Sequence, residues 1–321
     1  MSIIAVVLPV FSIAVLGYVL TWVGVFRVDD VGGLTRYVFN VALPVMLFDS
    51  ISTVDLPDTV RWSFLVAYYI PALIVFGVGF LLAERAFGLP RTAGGIYGMG
   101  CSYSNTVLIG LPIISTAWGD DAVLPLMMII SIHTAVLFTL TTAVAETGRT
   151  TTGSAVAHEG GAGAGRLLKR TALGMLTNPI FGGLVIGLVF NVAGLRFTGP
   201  TDTVIQWIRA SALPAALFVT GASLRRYRVM GHILPAGTMV VLKLVVHPAL
   251  VWVLAVPVFH LPPLWAATAI LTAALPTGVN ASVFASKYDA AVAPVVTATL
   301  VSTMLSIVGL TVLLTAFGAV G

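Results

Sequence analysis

The sequence of 321 residues is 58% hydrophobic and only 9% charged, with a net charge of +4 and a mean hydropathy of +1.05. Soluble domains carry about 25% charged residues, so this composition excludes a soluble globular protein and predicts a polytopic membrane protein. The single cysteine, Cys101, excludes an internal disulfide bond. The first residues lack a basic n-region, so we expect them to begin a retained helix and not a signal peptide.

Ten apolar segments are long enough to cross a bilayer, because a transmembrane helix needs about 20 mostly apolar residues. The predicted spans 1 to 10 cover residues 3–23, 37–54, 62–83, 93–115, 122–144, 173–194, 203–223, 233–256, 263–285 and 291–317. The sequence therefore predicts an all-α polytopic membrane protein with ten transmembrane helices.

Basic residues are distributed unequally between the loops on the two sides of these spans. One set of alternate loops contains only Arg61 and Arg196. The opposite set contains Arg27, Arg36, Arg85, Arg91, Arg149, Arg166, Lys169, Arg170, Arg225, Arg226, Arg228 and Lys287. By the positive-inside rule, this asymmetry predicts a protein of the cell membrane with both termini outside. The Gly/Ala-rich loop 145–172 is then a cytoplasmic linker between two halves.

The two halves resemble each other at an offset of about 170 residues. The matching segments are Pro9–Phe11 with Pro179–Phe181, Gly17 and Gly24 with Gly187 and Gly194, Ala42–Phe48 with Ala212–Phe218, Pro71–Leu73 with Pro248–Leu250, and Asp121–Pro125 with Asp289–Pro294. Because the period is five spans, an odd number, the second half enters the membrane in the opposite orientation. We therefore predict two inverted five-helix repeats, at residues 1–144 and 173–321.

Spans 4 and 9 contain residues that disrupt a continuous helix. Gly100, Gly110 and Pro112 interrupt span 4, and Pro276 and Gly278 interrupt span 9. Irregular polar backbone is tolerated at membrane depth only where it is buried in protein or lines a wet cavity. We expect two broken helices that cross near the midplane, with half-helix N-termini facing an anion and C-termini facing a cation.

The crossing supplies the candidates for substrate binding. Asn105 and Asn280 come first, because an amide can donate to a carboxylate, although each can equally satisfy broken backbone. The remaining candidates at the same breaks are Ser104, Thr106, Thr277, Pro112 and Pro276. Single hydroxyls within spans often bond back to helix carbonyls. The prolines are expected mainly to shape the breaks.

Three ionisable residues within spans are candidates for coupling transport to H⁺ or Na⁺. Asp49 is an acid well inside span 2, where insertion of a charge costs about 2.5–3.5 kcal/mol, unless it is solvated near the outer interface. His133 is either a titrating group or a structural histidine. Lys243, four residues before His247, attracts an anion, pairs with an acid or snorkels. Arg209 either anchors span 7 at the interface or steers anions.

The sequence contains no Walker loop, nucleophile elbow or metal-ligand cluster. We therefore expect no enzymatic activity, no metal site and no cofactor apart from the coupling ion. The basic residues act as topology determinants, which leaves no support for nucleic-acid binding. The expected partners are a small organic anion and the lipid bilayer, and a homodimer is left open.

Several short motifs resemble those of the auxin efflux carrier family over essentially the whole chain. They are Asn40–Pro44 in span 2, Ser104–Thr106 with Gly110–Pro112 in span 4, and Leu275–Gly278 with Phe284, Ala285 and Tyr288 in span 9. The resemblance implies a scaffold of spans 1, 2, 6 and 7, a core of spans 3–5 and 8–10, and an elevator-like movement between them. It also implies secondary active transport of a small mono- or dicarboxylate, auxin-like or malonate/malate-like.

The alternative is a sodium/proton-coupled cation antiporter, or a sodium-coupled symporter, of the same fold. The antiporter predicts a pair of carboxylates at the crossing. In the bile acid:sodium symporters that share this fold, an acidic residue in span 9 helps to hold sodium. Span 9 has no carboxylate between Trp265 and Lys287, which weakens this alternative.

Overall fold

The computed structural model describes residues 3–27, 30–53, 61–151, 179–224 and 232–318. Within these ranges the regular elements are helices, apart from one isolated bridge discussed below. We number them α1 (Ile3–Trp22), α2 (Asp30–Thr53), α3 (Trp62–Arg85), α4 (Arg91–Ser102), α5 (106–118), α6 (Val123–Thr151), α7 (Pro179–Val192), α8 (Pro200–Leu224), α9 (Ile233–Val258), α10 (Pro263–Ala274), α11 (Val279–Tyr288) and α12 (Val292–Ala316).

The predicted all-helical membrane fold is confirmed at this coarse level. Among the described residues, six stretches are long and apolar enough to cross a membrane: Asp30–Thr53, Trp62–Arg85, Thr106–Ala145, Pro200–Ser223, Ile233–Val258 and Val292–Ala316. Shorter apolar helices cover Ser12–Trp22, Gly182–Val192 and Pro263–Ala274. Predicted span 4 corresponds to α4 and α5, and predicted span 9 corresponds to α10 and α11.

Two predicted boundaries are wrong. Span 2 was expected from residue 37, but α2 begins at Asp30, whose carboxylate lies in the first turn and favours a helix N-terminus there. The linker was expected from residue 145, but α6 continues to Thr151. The rest of the linker, 152–172, and the start of span 6, 173–178, lie outside the described residues.

Short π-helical segments occur next to prolines. The segment Val38–Ala42 precedes Pro44 in α2, and Thr106–Gly110 precedes Pro112 in α5. In α9, Leu242–Val246 precedes Pro248 and Leu254–Val258 contains Pro257. Proline lacks an N–H and crowds the carbonyl four residues earlier, so the preceding turn widens to accommodate it.

The packing of α1 on α8 matches that of α7 on α2. A Cβ added at Gly17 would lie 3.0 Å from the carbonyl carbon of Phe218. A Cβ added at Gly187 would lie 3.0 Å from the Cα of Phe48. Both glycines thus allow two helix backbones to approach closely. Residue 187 lies 170 residues after residue 17, and residue 218 lies 170 residues after residue 48. Replacing each residue by its equivalent in the other repeat therefore converts one contact into the other.

In the described part of the chain, buried apolar side chains form three clusters around the two broken helices. The first contains residues of α2, α5, α6, α8 and the end of α10. The second contains residues of α3, α4, α9, α11 and α12, and the third joins α3 to α9 and α10. The two halves of each broken helix therefore belong to different clusters, with the interruption held between them.

Candidate functional site at two broken helices

The first interruption separates α4 from α5. Helix α4 ends at Ser102, and Tyr103 adopts an extended conformation with φ −79° and ψ 113°. Asn105 is also non-helical, with φ −77° and ψ 66°, and α5 begins at Thr106. Pro112 lies where the π-helical part of α5 passes into its regular α-helical part, and it has no N–H to donate to the preceding turn.

The second interruption separates α10 from α11. Leu275 is extended, with φ −60° and ψ 152°, immediately after Ala274 ends α10. Pro276 follows, and the residue before a proline is disfavoured in the helical region, which explains the break at this position. Gly278 is also extended, with φ −68° and ψ 142°, and α11 begins at Val279.

The two interruptions pair with each other as a minimal antiparallel ladder. Ser104 and Thr277 form the isolated bridge. The backbone N–H of Asn105 donates to the carbonyl of Pro276 at 3.0 Å, and the N–H of Gly278 donates to the carbonyl of Tyr103 at 2.8 Å. Unpaired backbone is costly in an apolar interior, so each break satisfies polar groups of the other.

Side chains satisfy the remaining backbone groups of the bridge. The Ser104 N–H donates to Nε2 of His133 at 3.1 Å, and the Thr277 N–H donates to Oγ of Ser302 at 3.1 Å. The Thr277 hydroxyl donates to the carbonyl of Gly100 at 3.0 Å. All of these side chains are buried, so the crossing is a rigid junction.

Asn105 and Asn280 differ in what their amides contact. Asn105 is 7% exposed, and its side-chain amide makes no hydrogen bond to any other described residue. Asn280 is exposed, and its Nδ2 donates to the Tyr103 hydroxyl at 3.0 Å. The Asn105 amide and the second N–H of Asn280 Nδ2 therefore remain available to donate to a ligand.

The other substrate-binding candidates divide into two groups. The hydroxyl of Thr106, at the start of α5, also makes no hydrogen bond within the described ranges. Ser104 and Thr277 are fully buried and already have partners, since the Tyr68 hydroxyl donates to Ser104 Oγ at 3.3 Å. Pro276 contributes its carbonyl to the bridge. With Pro112, these residues build the junction, and their contact with substrate stays a prediction.

Lys243 lies at the C-terminal end of the half-helix α10. Its side chain is fully buried, and Nζ donates to the carbonyl of Ala273 at 2.5 Å. Carbonyls at a helix C-terminus carry partial negative charge, so the ammonium stabilises the broken end of α10. Neither the predicted acid partner nor a snorkelling position is present at this lysine in the described structure.

His133 and His247 lie close to Lys243 and the bridge. The His133 ring packs against Tyr103, tilted by 33° at a centroid distance of 4.5 Å, while its Nε2 accepts from the Ser104 N–H. The His247 ring packs 5.5 Å from Tyr68, and neither of its nitrogens has a partner among the described residues. His133 thus has a definite structural contact, and its coupling role is untested.

Arg209 connects two carboxylates at another place in the protein. It forms an ion pair with Asp49 of α2 and another with Asp120 of the turn between α5 and α6. Asp49 is 6% exposed, so the interpretation that it is solvated at the interface is wrong. The guanidinium of Arg209 bonds to protein carboxylates, and its roles in anchoring span 7 at the interface or in steering anions stay predictions.

The structure also reveals contributors that the sequence did not single out. Tyr68, Tyr103 and Ser302 support the bridge, and Gln206 and Asp120 complete the contacts around Arg209. Gln206 precedes Arg209 by three residues, a spacing that places both on one helix face. The other contacts join distant parts of the chain, and sequence spacing carries no signal for them.

The arrangement of the crossing is suited to hold an anion. The first N–H groups of a helix lack intrahelical acceptors, and those of α5 and α11 lie next to the paired breaks. The Asn105 amide adds a side-chain donor. Within the described ranges no group of three or more His, Cys, Asp or Glu residues could hold a metal ion.

Comparison with known proteins agrees with a multi-pass membrane protein. The chain belongs to the membrane transport protein family, whose model matches residues 2–314. It is 26% identical to a Rhizobium meliloti (strain 1021) protein named "Putative malonate transporter", over 96% of this chain and 93% of that protein. It is also 26% identical to an "Uncharacterized transporter" of Methanothermobacter thermautotrophicus, over 95% of both chains.

A shorter match links the chain to plant proteins. It is 23% identical to auxin efflux carrier component 2 of Oryza sativa subsp. japonica, over 43% of this chain and 23% of that protein. These matches confirm the resemblance to the auxin efflux carrier family. The chain is therefore a membrane protein of a transporter family.

Proposed function

We propose that this protein is a secondary active transporter of a small organic anion, a mono- or dicarboxylate, that works by alternating access. The observation that carries the proposal is the antiparallel pairing of the two broken helices, which leaves the Asn105 amide free. The carboxylate would bind at this crossing, held by the N-termini of α5 and α11, by Asn105 and by Asn280. Thr106 would contribute its hydroxyl.

Charge at the crossing supports an anion over a cation. The half-helix N-termini supply positive potential. At the half-helix C-termini, Lys243 donates to the Ala273 carbonyl of α10 and the Thr277 hydroxyl donates to the Gly100 carbonyl of α4. The cation antiporter and the sodium-coupled symporter, which are the alternatives, would need carboxylates at the crossing. The described residues there supply amides, hydroxyls, histidines and a lysine. Coupling to H⁺ or Na⁺, through Asp49, His133 or Lys243, is part of the proposal to be tested.

The matched packing supports an architecture of ten transmembrane helices in two inverted five-helix repeats. The Gly17–Phe218 and Gly187–Phe48 contacts involve equivalent positions of the two halves. Such equivalence is expected for repeats related by a two-fold axis. The proposed scaffold is α1, α2, α7 and α8, and the proposed core is α3–α6 and α9–α12. Movement of the core past the scaffold, as in an elevator, would expose the crossing alternately to the two sides.

The distribution of basic residues supports a location in the cell membrane with both termini outside. This orientation would place the turn between α5 and α6 and the start of α8 on the outer side. Cysteine accessibility to a membrane-impermeant reagent in intact cells tests it. Labelling of a cysteine introduced at Asp121 from outside is expected, since that residue is exposed in the turn.

Reconstitution into proteoliposomes tests the transported substrate. We would measure uptake of labelled malonate, chosen because a relative is named for it, and of other mono- and dicarboxylates. Gradients of pH and Na⁺ would be imposed separately. Uptake of a carboxylate above empty liposomes is expected, whereas cation exchange without carboxylate uptake would favour the antiporter.

Substitution of Asn105 tests the site. We expect Asn105→Ala to weaken carboxylate binding about tenfold, as for the loss of one hydrogen bond to a charged group. Asn191→Ala is the matched control, because that amide donates to the Ile51 carbonyl at 2.8 Å, away from the crossing. Unchanged affinity in Asn105→Ala would remove Asn105 from the site.

A further inference from the structure

A cavity of about 480 Å³ lies between α1, α2, α5 and α8, and Arg209 and Asp120 form part of its wall. Ser115 and Thr116 also line it. They follow Asn105 by ten and eleven residues, which corresponds to about 15 Å along a helix. The cavity is therefore separate from the crossing. It has room for a small carboxylate and several waters, given about 30 Å³ per water.

The two carboxylates bound to Arg209 are held differently. Asp49 accepts from Nη1 of Arg209, and its two oxygens also accept from Nε2 of Gln206 at 3.2 and 3.3 Å. Asp120 accepts from Nη2 at 2.7 Å on both oxygens, with a weaker contact from Ser50 at 3.3 Å. The side chain of Asp49 is 8% exposed and that of Asp120 is 41% exposed. Asp49 thus has an additional amide donor and little exposure, whereas Asp120 is held mainly by Arg209 and is open to solvent.

The pair of Arg209 and Asp120 also connects two parts that the proposed mechanism separates. Arg209 belongs to α8 of the proposed scaffold, and Asp120 belongs to the turn Gly119–Ala122 of the proposed core. Movement of one past the other has to break this ion pair. A carboxylate that enters the cavity presents the same acceptor geometry to the guanidinium as Asp120 does.

We propose that Nη2 of Arg209 is a first binding site for the substrate carboxylate, where the substrate displaces Asp120 before it reaches the crossing. The inference rests on the proposed function for the chemical class of the ligand. One carboxylate replaces another, so the charge around Arg209 is conserved. The released Asp120 is already partly exposed and becomes hydrated. Ser115, whose hydroxyl has no hydrogen-bond partner within the described ranges, is a second donor in the same wall.

The test uses a thiol introduced by Thr116→Cys, because Thr116 is exposed and lines the cavity while the native Cys101 is buried. The full-length variant is reconstituted, and the rate of maleimide labelling is measured with increasing malonate, malate or acetate. We expect a carboxylate to slow labelling. The half-protecting concentration is the carboxylate concentration that halves the labelling rate. Adding Asp120→Asn removes the carboxylate that competes for Arg209, so it should lower this concentration about tenfold.

Adding Arg209→Lys keeps the positive charge beside Asp49 but removes the planar guanidinium with its paired N–H donors. It should therefore raise the half-protecting concentration about tenfold. Asn105→Ala should leave that concentration unchanged, because it alters only the crossing. If the protein transports a carboxylate but no carboxylate slows its labelling, the inference is overturned while the proposed function stands. The same holds if carboxylates protect Arg209→Lys from labelling as well as they protect the variant that retains Arg209. Faster uptake in Asp120→Asn at an unchanged half-protecting concentration would also overturn it. Arg209-dependent protection without uptake would support this site and reject the proposed function.

Discussion

The ammonium of Lys243 donates to the carbonyl of Ala273 at 2.5 Å, in the last turn of the half-helix α10. A helix C-terminus inside a membrane protein attracts a cation, and here the amino group of Lys243 occupies that position. The Ala273 carbonyl therefore already has a donor from the protein, which leaves it less available to a bound Na⁺.

We predict that transport by the wild-type protein does not depend on Na⁺ bound at this helix end. Replacing Na⁺ by choline on both sides of proteoliposomes should leave the initial rate of carboxylate uptake unchanged. Lys243→Met should reduce uptake about tenfold or more, because the Ala273 carbonyl loses a charge-assisted hydrogen bond of about 1.5–3 kcal/mol.

Lys287→Met serves as the control for removing one positive charge, since Lys287 is exposed at the end of α11. Its uptake should stay close to that of the wild type. Strict dependence of wild-type uptake on Na⁺ would contradict the prediction.

The hydrogen bond between the Thr277 N–H and Ser302 Oγ should matter more than other buried serine contacts in α12. Ser302→Ala leaves a buried backbone N–H without its acceptor, at a cost of about 1–3 kcal/mol. We expect a lower midpoint of thermal unfolding and slower uptake. Ser306→Ala is the matched control, because Ser306 is equally buried on the same helix but donates only to the Thr303 carbonyl. Equal midpoints for the two variants would show that the Ser302 contact does not stabilise the crossing.

The repeat-related glycine contacts predict that alanine substitution at Gly17 or at Gly187 lowers thermal stability in the same way. Alanine at Gly17 or Gly187 gains up to about 1 kcal/mol of helix propensity, but its Cβ collides with backbone and overpacking typically costs about 1–3 kcal/mol. Both variants should therefore unfold at lower temperature than the wild type. Gly309→Ala in α12 is the control, since a Cβ there meets nothing within 4 Å. A wild-type midpoint in either variant would argue against close backbone packing at that glycine.

The helices and the two breaks could be predicted from sequence because their causes are local. Apolar length predicts a helix, and Pro276 and Gly278 lie at the second break, whereas Gly100 and Pro112 lie within the helices on either side of the first. The extents of α2 and α6 were underestimated because polar residues continue a helix beyond its apolar part. Asp30 in the first turn of α2 is an example.

The contacts of the candidate site could be predicted only in part. The pairing of Ser104 with Thr277 follows from matching breaks in two halves, so repetition within the chain carried that information. The partner of Lys243 is a backbone carbonyl, and Arg209 meets acids 160 and 89 residues away. Backbone acceptors and distant ion pairs depend on tertiary packing, which leaves no periodic signal in the sequence.

The ion pair of Asp49 with Arg209 predicts a structural role for this acid. Asp49→Asn removes one of the two carboxylates of a partly buried guanidinium, and we expect a loss of about 1–2 kcal/mol, because solvent and Asp120 still stabilise Arg209. The thermal midpoint should fall, whereas Asp121→Asn in the exposed turn should leave it unchanged. The ratio of uptake with and without an imposed pH gradient should be the same in Asp49→Asn and the wild type. If the wild type responds to the pH gradient and Asp49→Asn does not, Asp49 carries the coupled proton. Its ion pair with Arg209 then has to be broken and remade in each transport cycle.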